Sequence, residues 1–360
     1  MRFLIFCLSV LSLSATSQAQ SMKAFTPFDE GFTTQKGSEI IVENMPRVMS
    51  QDTLGICFSF AATAVMQANN CRIMKQDCKN IPDSEMFSPL DVARFGKKPD
   101  GEPDYASSYN GIKEGGPGAF TLNIAANFIG DSASEACMSL DKLLGKMGGA
   151  HDGTETQLEA FNRLKALYKK FKSIDAKCEK CKSDFTDEAG KSIDQDFCVQ
   201  KDQKALLRAF NQETYDKFFD ELVSPAECNR AKNRAYFEGK DSTETKWFPE
   251  DKKDFNYKAV TEKLKSVLAK KLPVLLQSIC LDEKKPKKMK DCQNGHAVVL
   301  TGFARKCDPA GNCYDAVKVH NSWGESWQKS HNDGWVAADE LFKQTFIEVQ
   351  SLSWLEDIPK

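Results

Sequence analysis

The chain has 360 residues and sets 49 Lys and Arg against 51 Asp and Glu, a formal net charge of −2. That balance excludes a polycation that holds nucleic acid by charge alone. A hydrophobic share of 41% with only 13 Pro excludes a disordered or collagen-like chain, and the length suits one large domain or two smaller ones.

The first twenty residues carry one cation, Arg2, then an apolar run from Phe3 to Leu13, then small residues ending in Ser17-Gln18-Ala19. This is the pattern of a secretory signal peptide, residues 1–19, and it predicts a secreted or periplasmic protein. No later stretch reaches about 18 consecutive apolar residues, so no transmembrane segment is expected. Cys7 falls inside the leader. The twelve cysteines beyond it are expected to form disulfides by default in an exported chain. If one of them is a working thiol, eleven remain, and at least one more is free or pairs between chains.

Residues 20–139 read as a helical half. Ile40-Ile41-Val42 is a candidate strand, and the chain then runs through Pro46 to Gln51. After Cys57, the residues Phe60, Ala61, Ala64, Val65 and Ala68 recur at helical spacing, which puts Cys57 near a helix N-terminus. The helix dipole there favours a thiolate. Cys71 and Cys78 lie seven apart, and a local disulfide is expected. Gly96 to Gly118 is a loop rich in Gly, Pro and Asp, and Ala119 to Ile129 predicts a helix packed by Leu122, Ala126 and Phe128.

Residues 140–250 are rich in Lys and Glu. Leu158, Phe161, Leu164, Tyr168 and Phe171 fall on one helical stripe, and Leu206, Phe210, Phe218 and Leu222 on another. The expectation is an inserted helical subdomain with solvated outer faces, a site for a protein partner or for self-inhibition. Cys178-Glu179-Lys180-Cys181 has the spacing of half a zinc site or of a redox pair. No histidine lies near it, since His151 is distant, so structural disulfides are expected, with Cys198 and Cys228 also available as partners.

Residues 251–360 turn to strands after a helix from about Phe255 to Lys270. Pro273 to Cys280 opens one strand, and Lys284, Lys285, Lys287, Lys288 and Lys290 follow before Cys292. This run has the charge of a docking patch for an acidic partner, but a staple between Cys280 and Cys292 would close the loop, contribute roughly 3 kcal/mol by the chain-entropy account, and leave the lysines simply facing water, which is the expectation. Ala297 to Phe303 reads as a buried strand. Cys307 to Cys313 is a turn with a disulfide across it, and Tyr314 to His320 is the returning strand. Antiparallel pairing of these two strands brings His296 and Asn321 to the same end.

Four histidines, at 151, 296, 320 and 331, keep the search for a general base short. A nucleophilic cysteine needs a base beside it, and the base needs an orienting group on its other nitrogen. Cys57, His296 and Asn321 supply those parts, and the side-chain amide of Gln51 with the Cys57 N–H can receive the oxyanion of a tetrahedral intermediate. By strand alternation His320 faces away from Asn321. His331, in a polar loop, is expected to be solvated.

The words around these residues resemble those of the papain-like cysteine peptidases. Gln51 to Phe60 resembles that family's oxyanion glutamine and nucleophile segment. Asn294-Gly295-His296-Ala297-Val298 resembles its histidine strand, and Asn321-Ser322-Trp323-Gly324, with Trp327 and Gly334-Trp335, resembles its asparagine block. Weaker matches are Phe87 to Asp91, Gly115-Gly116 and Pro273-Val274. Leu54 and Phe58 stand where the family carries a cysteine and a tryptophan. Cys57 and His296 are 239 positions apart, against about 130 to 150 in the family, and the excess falls in residues 140–250.

The resemblance implies an α+β, two-domain fold, with a helical N-terminal domain and an antiparallel, β-barrel-like C-terminal domain around a cleft. It implies Cys57 as nucleophile, His296 as acid and base, Asn321 as orienter and Gln51 as oxyanion donor. Gly115 and Gly116 would line the substrate cleft, Trp323 would shield the His–Asn contact, and Trp327 would border the leaving-group side. A peptide or protein substrate is implied, with no cofactor, no metal and no nucleic acid. The same residues serve peptide ligation. The competing classes are a catalytically silent peptide-binding protein on this scaffold and a thiol–disulfide oxidoreductase built on Cys178 and Cys181. No βαβ pattern surrounds that pair.

Overall fold

The computed structural model describes residues 23–28, 31–95, 111–145, 155–199, 201–251, 256–347 and 350–359. The leader, most of the loop from Gly96, and His151 lie outside the described residues. A first turn, Lys23–Phe25, buries Ala24 and Phe25, and the short strands β1 (Thr33–Thr34) and β2 (Ile40–Ile41) follow. Helix α1 (Cys57–Met74) is buried from Cys57 to Cys71 around its whole circumference, not on one stripe. Its interior polar groups therefore need partners. Gln67 Oε1 accepts from Phe87 N–H at 3.0 Å, Asn69 Nδ2 donates to Val65 O at 3.0 Å, and Asn70 Nδ2 donates to Tyr236 O at 3.2 Å.

Helix α2 (Pro89–Val92) starts with proline in its first turn and is capped by Ser88, whose Oγ accepts from Asp91 N–H at 3.2 Å. Helix α3 (Gly118–Asn123) runs on into a wider π-helical stretch, Ile124–Ile129. Leu122 and Ala126 are buried as expected, but Phe128 is 41% exposed. The extra residue per turn in the π segment moves position 128 off the buried face that a regular helix would give it.

Strand β3 (Asp131–Ala133) and helix α4 (Leu140–Leu144) lead into α5 (Glu155–Lys172), α6 (Glu179–Asp196), α7 (Gln203–Phe210) and α8 (Tyr215–Val223). Phe161, Leu164, Tyr168 and Phe171 are buried, as are Leu206, Phe210, Phe218 and Leu222. Leu158 is 52% exposed, because Gln157 takes the buried position one residue earlier. The second stripe is two helices joined at residues 211–214. Their core is aromatic: Phe210 lies 4.8 Å from Phe218 and 5.1 Å from Phe171, ring centre to ring centre. Such pairs add about 0.5–1.5 kcal/mol each beyond area burial.

Strand β4 (Arg234–Tyr236) pairs antiparallel with β3, so the end of the Lys/Glu-rich stretch returns to the first half. Several contacts hold the two together. Cys137 bonds to Cys228, and buried Asp91 takes Arg94 and Arg234, with Arg94 also on Asp220 at 2.7 Å. Gly111, at φ +88°, packs so tightly that a Cβ there would fall 2.4 Å from the carbonyl of Asp216.

One mixed-length antiparallel sheet carries the remainder. Strand β5 (Thr243–Phe248), helix α9 (Tyr257–Ala269) and strands β6 (Val274–Cys280), β7 (Gly295–Cys307) and β8 (Cys313–His320) precede α10 (Gly324–Ser330), β9 (Trp335–Ala337), α11 (Ala338–Gln344) and β10 (Leu352–Asp357). The sheet order is β5-β10-β6-β7-β8-β9, with β1 and β2 also on the long strand β7. The expected barrel is thus an open path among the described residues, and β7 reaches extra partners by its length. Phe255, expected at the start of α9, lies outside the described residues.

Among the described residues five disulfides form: Cys71–Cys78, Cys137–Cys228, Cys178–Cys181, Cys280–Cys292 and Cys307–Cys313. Cys57 and Cys198 are free, the first buried and the second exposed. Among the described residues no helix is long and apolar enough to cross a membrane.

Next to Cys137 sits Glu135, 2% exposed, whose carboxyl is raised to about 8 by burial, against a hydrogen bond from Ser139. Between pH 4.5 and 8 the folded chain keeps a proton that the unfolded chain releases, so this group's contribution to stability falls as pH rises through that window. Glu135→Gln is expected to raise the melting temperature by at least about 3 °C at pH 8 and by under about 1 °C at pH 5, measured by scanning calorimetry. Equal shifts at both values would refute a buried neutral acid.

Candidate active site

The segment before α1 is mounted on the C-terminal half by a short antiparallel ladder. Gln51 N–H donates to Ser322 O at 2.8 Å, Gly324 N–H donates to Met49 O at 3.2 Å, and Ser50 bridges Trp323. These bonds bring the Gln51 and Asn321 words together across 270 positions of sequence. A turn through Asp52, at φ 50°, then feeds Cys57 into the first turn of α1.

From the other side, β7 delivers His296 and β8 delivers Asn321. Val299 stands opposite His320 in the β7–β8 ladder, so the residues just beyond that pair converge as antiparallel geometry predicts. His296 Nε2 lies 2.8 Å from Asn321 Oδ1, which also accepts from the Ser322 N–H at 2.9 Å. An amide oxygen only accepts, so Nε2 carries the ring proton and Nδ1 is left as the basic nitrogen. Asn321 Nδ2 is buried with no partner, so the amide is held through its oxygen alone.

Aromatic rings wall this contact. Trp323 stacks on His296 with ring centres 4.6 Å apart and planes at 24°. Phe25 meets His296, Trp323 and Trp327 edge-on at 6.0, 5.4 and 5.4 Å. Sequence reasoning missed Phe25, because nothing local to Lys23–Phe25 shows that it packs on residues about 270 positions away. His331 also departs from expectation: its ring stacks on Trp327 at 4.2 Å and it is half-buried, not solvated. His320 lines a recess with Arg47, Thr63 and Gln67 that Ala297 and Asn321 also border.

Cys57 is 9% exposed, and the N–H groups of Ala297, Phe58 and Cys57 itself act on its sulfur. The Ala297 contact puts the sulfur beside the residue that follows His296. Burial is the largest influence on both groups, raising the Cys57 thiol to about 11 and lowering His296 to about 4. The three N–H groups pull the thiol down, and the Asn321 bond pulls the imidazole up, each by less. Withdrawal from water thus acts on the thiol against the helix dipole that favours a thiolate.

Gln51 is buried, with Oε1 accepting from Ser322 Oγ at 2.6 Å and Nε2 donating to Leu54 O at 3.0 Å. One amide hydrogen remains uncommitted. Ser322, which braces this amide, is a second residue that sequence reasoning did not single out, although it sits inside the Asn321-Ser322-Trp323 word. Two residues before Cys57, Gly55 O accepts from the Gly115 N–H at 2.7 Å, and both Gly115 and Gly116 are exposed. Gly115 has φ +74° and open space where a Cβ would stand. Next to it a recess of about 260 Å³ is bordered by Leu54, Ile112 and Glu114 and by Phe161, Lys165 and Tyr215 of the Lys/Glu-rich stretch. Lys165 pairs with Glu114 at 2.8 Å across it.

One group of residues is close enough to hold a metal ion among those described: Cys280, Asp282 and Cys292. Its two cysteines are joined to each other as a disulfide and offer no thiolate.

No family profile matches the chain, and no curated protein matches it. Among solved structures, the chain is similar to xylellain, a cysteine protease from Xylella fastidiosa, at a TM-score of 0.41 and 13% identity, over 94% of this chain and 97% of that one. It is also similar to PepW from Lactobacillus rhamnosis HN001, at a TM-score of 0.38 and 14% identity, over 93% of this chain and 84% of that one.

Proposed function

We infer that this chain is an exported cysteine peptidase that hydrolyses peptide bonds through Cys57, His296 and Asn321. The observation that carries the reading is a cysteine left out of every disulfide, at a helix start, whose sulfur meets the N–H of Ala297, next in the chain to a histidine whose Nε2 is committed to an asparagine oxygen. That arrangement frees Nδ1 to take the thiol proton as the sulfur attacks a peptide carbonyl. The oxyanion that forms would be met by the Cys57 N–H and the uncommitted hydrogen of Gln51 Nε2. His296 then gives its proton to the leaving amine, and the C–N bond breaks to leave a thioester on Cys57. Water, deprotonated by the same nitrogen, hydrolyses the thioester and restores the thiol.

Trp323 and Phe25 support this role by keeping water from the His296–Asn321 bond, where a low local dielectric strengthens it. Gly115 and Gly116 fit an extended peptide backbone, since absent side chains permit close approach. Residues 140–250 act as an insertion that borders the cleft at Gly115 and builds the recess with Phe161 and Tyr215, so they help set substrate preference. Five disulfides fit an oxidising compartment and hence export.

Burial, which raises the Cys57 thiol and lowers His296, favours a second reading, a silent peptide-binding protein. The two readings separate by mass-spectrometric profiling of a peptide library incubated with the chain and with Cys57→Ala, beside alkylation by iodoacetamide. A peptidase cleaves the library in a Cys57-dependent way, and Cys57 is alkylated at a rate that His296 accelerates. An intact library, with Cys57 alkylated no faster than exposed Cys198, would overturn the reading.

A further inference from the structure

Lys284 to Lys290 places five lysines in seven residues with no acid among them, and no step of the mechanism above uses them. They occupy the loop between β6 and β7, and β7 starts with Gly295 and His296, so this loop springs from the histidine end of the sheet. Met289, between Lys288 and Lys290, packs so closely on Gly295 that a Cβ there would fall 2.9 Å from Met289 Cε. The lysine segment therefore stands beside the residue preceding His296.

A mobile lysine loop would be only a solvated surface, but this one is pinned at four points. Cys280–Cys292 closes its base, and the Asp282 carboxylate accepts from the Gln293 and Asn294 N–H groups at 2.9 and 3.0 Å and from Asn294 Nδ2 at 2.8 Å. Leu281 N–H donates to Asn294 O at 2.9 Å. Lys285 turns inward, where its Nζ donates to Thr345 O at 2.8 Å and lies 4.7 Å from the centre of the Phe346 ring. Lys284, Lys287, Lys288 and Lys290 stay exposed, and each lacks an acidic partner among the described residues. Of the acids in the loop, Asp282 is already spent on its base, while Glu283 and Asp291 flank the run at its two ends.

We propose that this stapled loop is a binding surface for acidic peptide segments on the leaving-group side of the scissile bond, so that the chain prefers substrates with Asp or Glu there. The side follows from Gly295, which Met289 of the loop touches and which precedes His296, the residue that gives its proton to the leaving amine. This rests on the peptidase reading of the same site. Because the loop is stapled, meeting a carboxylate orders four exposed lysine side chains and not the loop that carries them. Exposed pairs are worth about two- to fivefold each, so three acidic residues give a preference of about tenfold at low salt.

The test uses the full chain and two quenched peptides that differ only in Glu-Glu-Asp against Gln-Gln-Asn after the scissile bond. The ratio of kcat/KM, acidic over neutral, is expected near tenfold at 20 mM salt and under about twofold at 500 mM, where screening reaches about 4 Å. Replacing Lys284, Lys287, Lys288 and Lys290 by Gln should bring the ratio to about one, and replacing them by Glu should invert it. In parallel, fluorescence anisotropy of both peptides on Cys57→Ala reads binding without chemistry. Hydrolysis with equal rates in wild type overturns the loop's role and leaves the peptidase reading standing. Salt-sensitive binding of the acidic peptide with no hydrolysis by wild type keeps the surface and overturns the peptidase reading. Neither hydrolysis nor preferential binding overturns both.

Discussion

His296→Ala is expected to lower kcat/KM for peptide hydrolysis by at least about 10⁴-fold, the scale on which removing one member of a catalytic unit acts. The reason lies in the resting pair. A thiol held near 11 is almost wholly protonated at pH 7, so attack requires a base in place when the sulfur moves, and Nδ1 of His296 is the basic nitrogen left by the Asn321 bond. The pH profile carries a sharper signature than the loss alone. The competent pair holds one proton between sulfur and imidazole. Falling pH adds a second proton to the imidazole and removes the base, which places the acid limb near the His296 value of about 4. Rising pH takes the shared proton, so the alkaline limb belongs to the thiol, pushed up toward about 11. Between them lies a broad plateau whose limbs belong to the pair, not to either residue alone. In His296→Ala the acid limb should vanish and the residual rate should climb about tenfold per pH unit as thiolate forms. A variant that keeps the acid limb, measured from pH 3.5 to 10, would remove His296 from the chemistry.

The residues that could be read from sequence are those whose neighbours in space are also neighbours along the chain. The α1 segment, the β7–β8 hairpin and the short-range disulfides Cys71–Cys78, Cys280–Cys292 and Cys307–Cys313 all follow from local spacing. Asn321 reaches His296 because a hairpin has one register and its two ends must meet. Elsewhere local pattern failed for identifiable reasons. Phe128 and Leu158 have the spacing of buried positions but sit next to a π-helical turn and a buried Gln157, and each shifts the face by about one residue. Cys228 pairs with Cys137, 91 positions away, and this leaves Cys198 free; no spacing rule reaches that far. The influence of burial on Cys57 is hidden from the sequence for a related reason. A helix dipole is a local property that a sequence displays, whereas the depth to which β7, Trp323 and Phe25 bury the pair is a property of the whole packing.

Gln51→Ala is expected to lower kcat about 10²- to 10³-fold with KM changed little, because an oxyanion donor acts only once charge has developed on the substrate oxygen. A structural account of Gln51 also exists. Its Oε1 accepts from Ser322 Oγ and its Nε2 donates to Leu54 O, so the amide ties the turn before Cys57 to the strand end that carries Asn321. Gln51→Glu separates the two accounts. The carboxylate matches the amide in size and keeps the acceptor for Ser322 but loses the bond to Leu54 O, so half of the brace survives, while the donor aimed at the oxyanion is replaced by a negative charge. Catalysis by donation therefore predicts that Glu is at least as damaging to kcat as Ala. Bracing predicts partial rescue by Glu, with losses in kcat that follow the fall in melting temperature of the two variants. Ser322→Ala completes the argument: it leaves the donor in place but frees its carbonyl end, and a loss of about fivefold in kcat, smaller than for either Gln51 variant, is expected for a residue that only positions that amide.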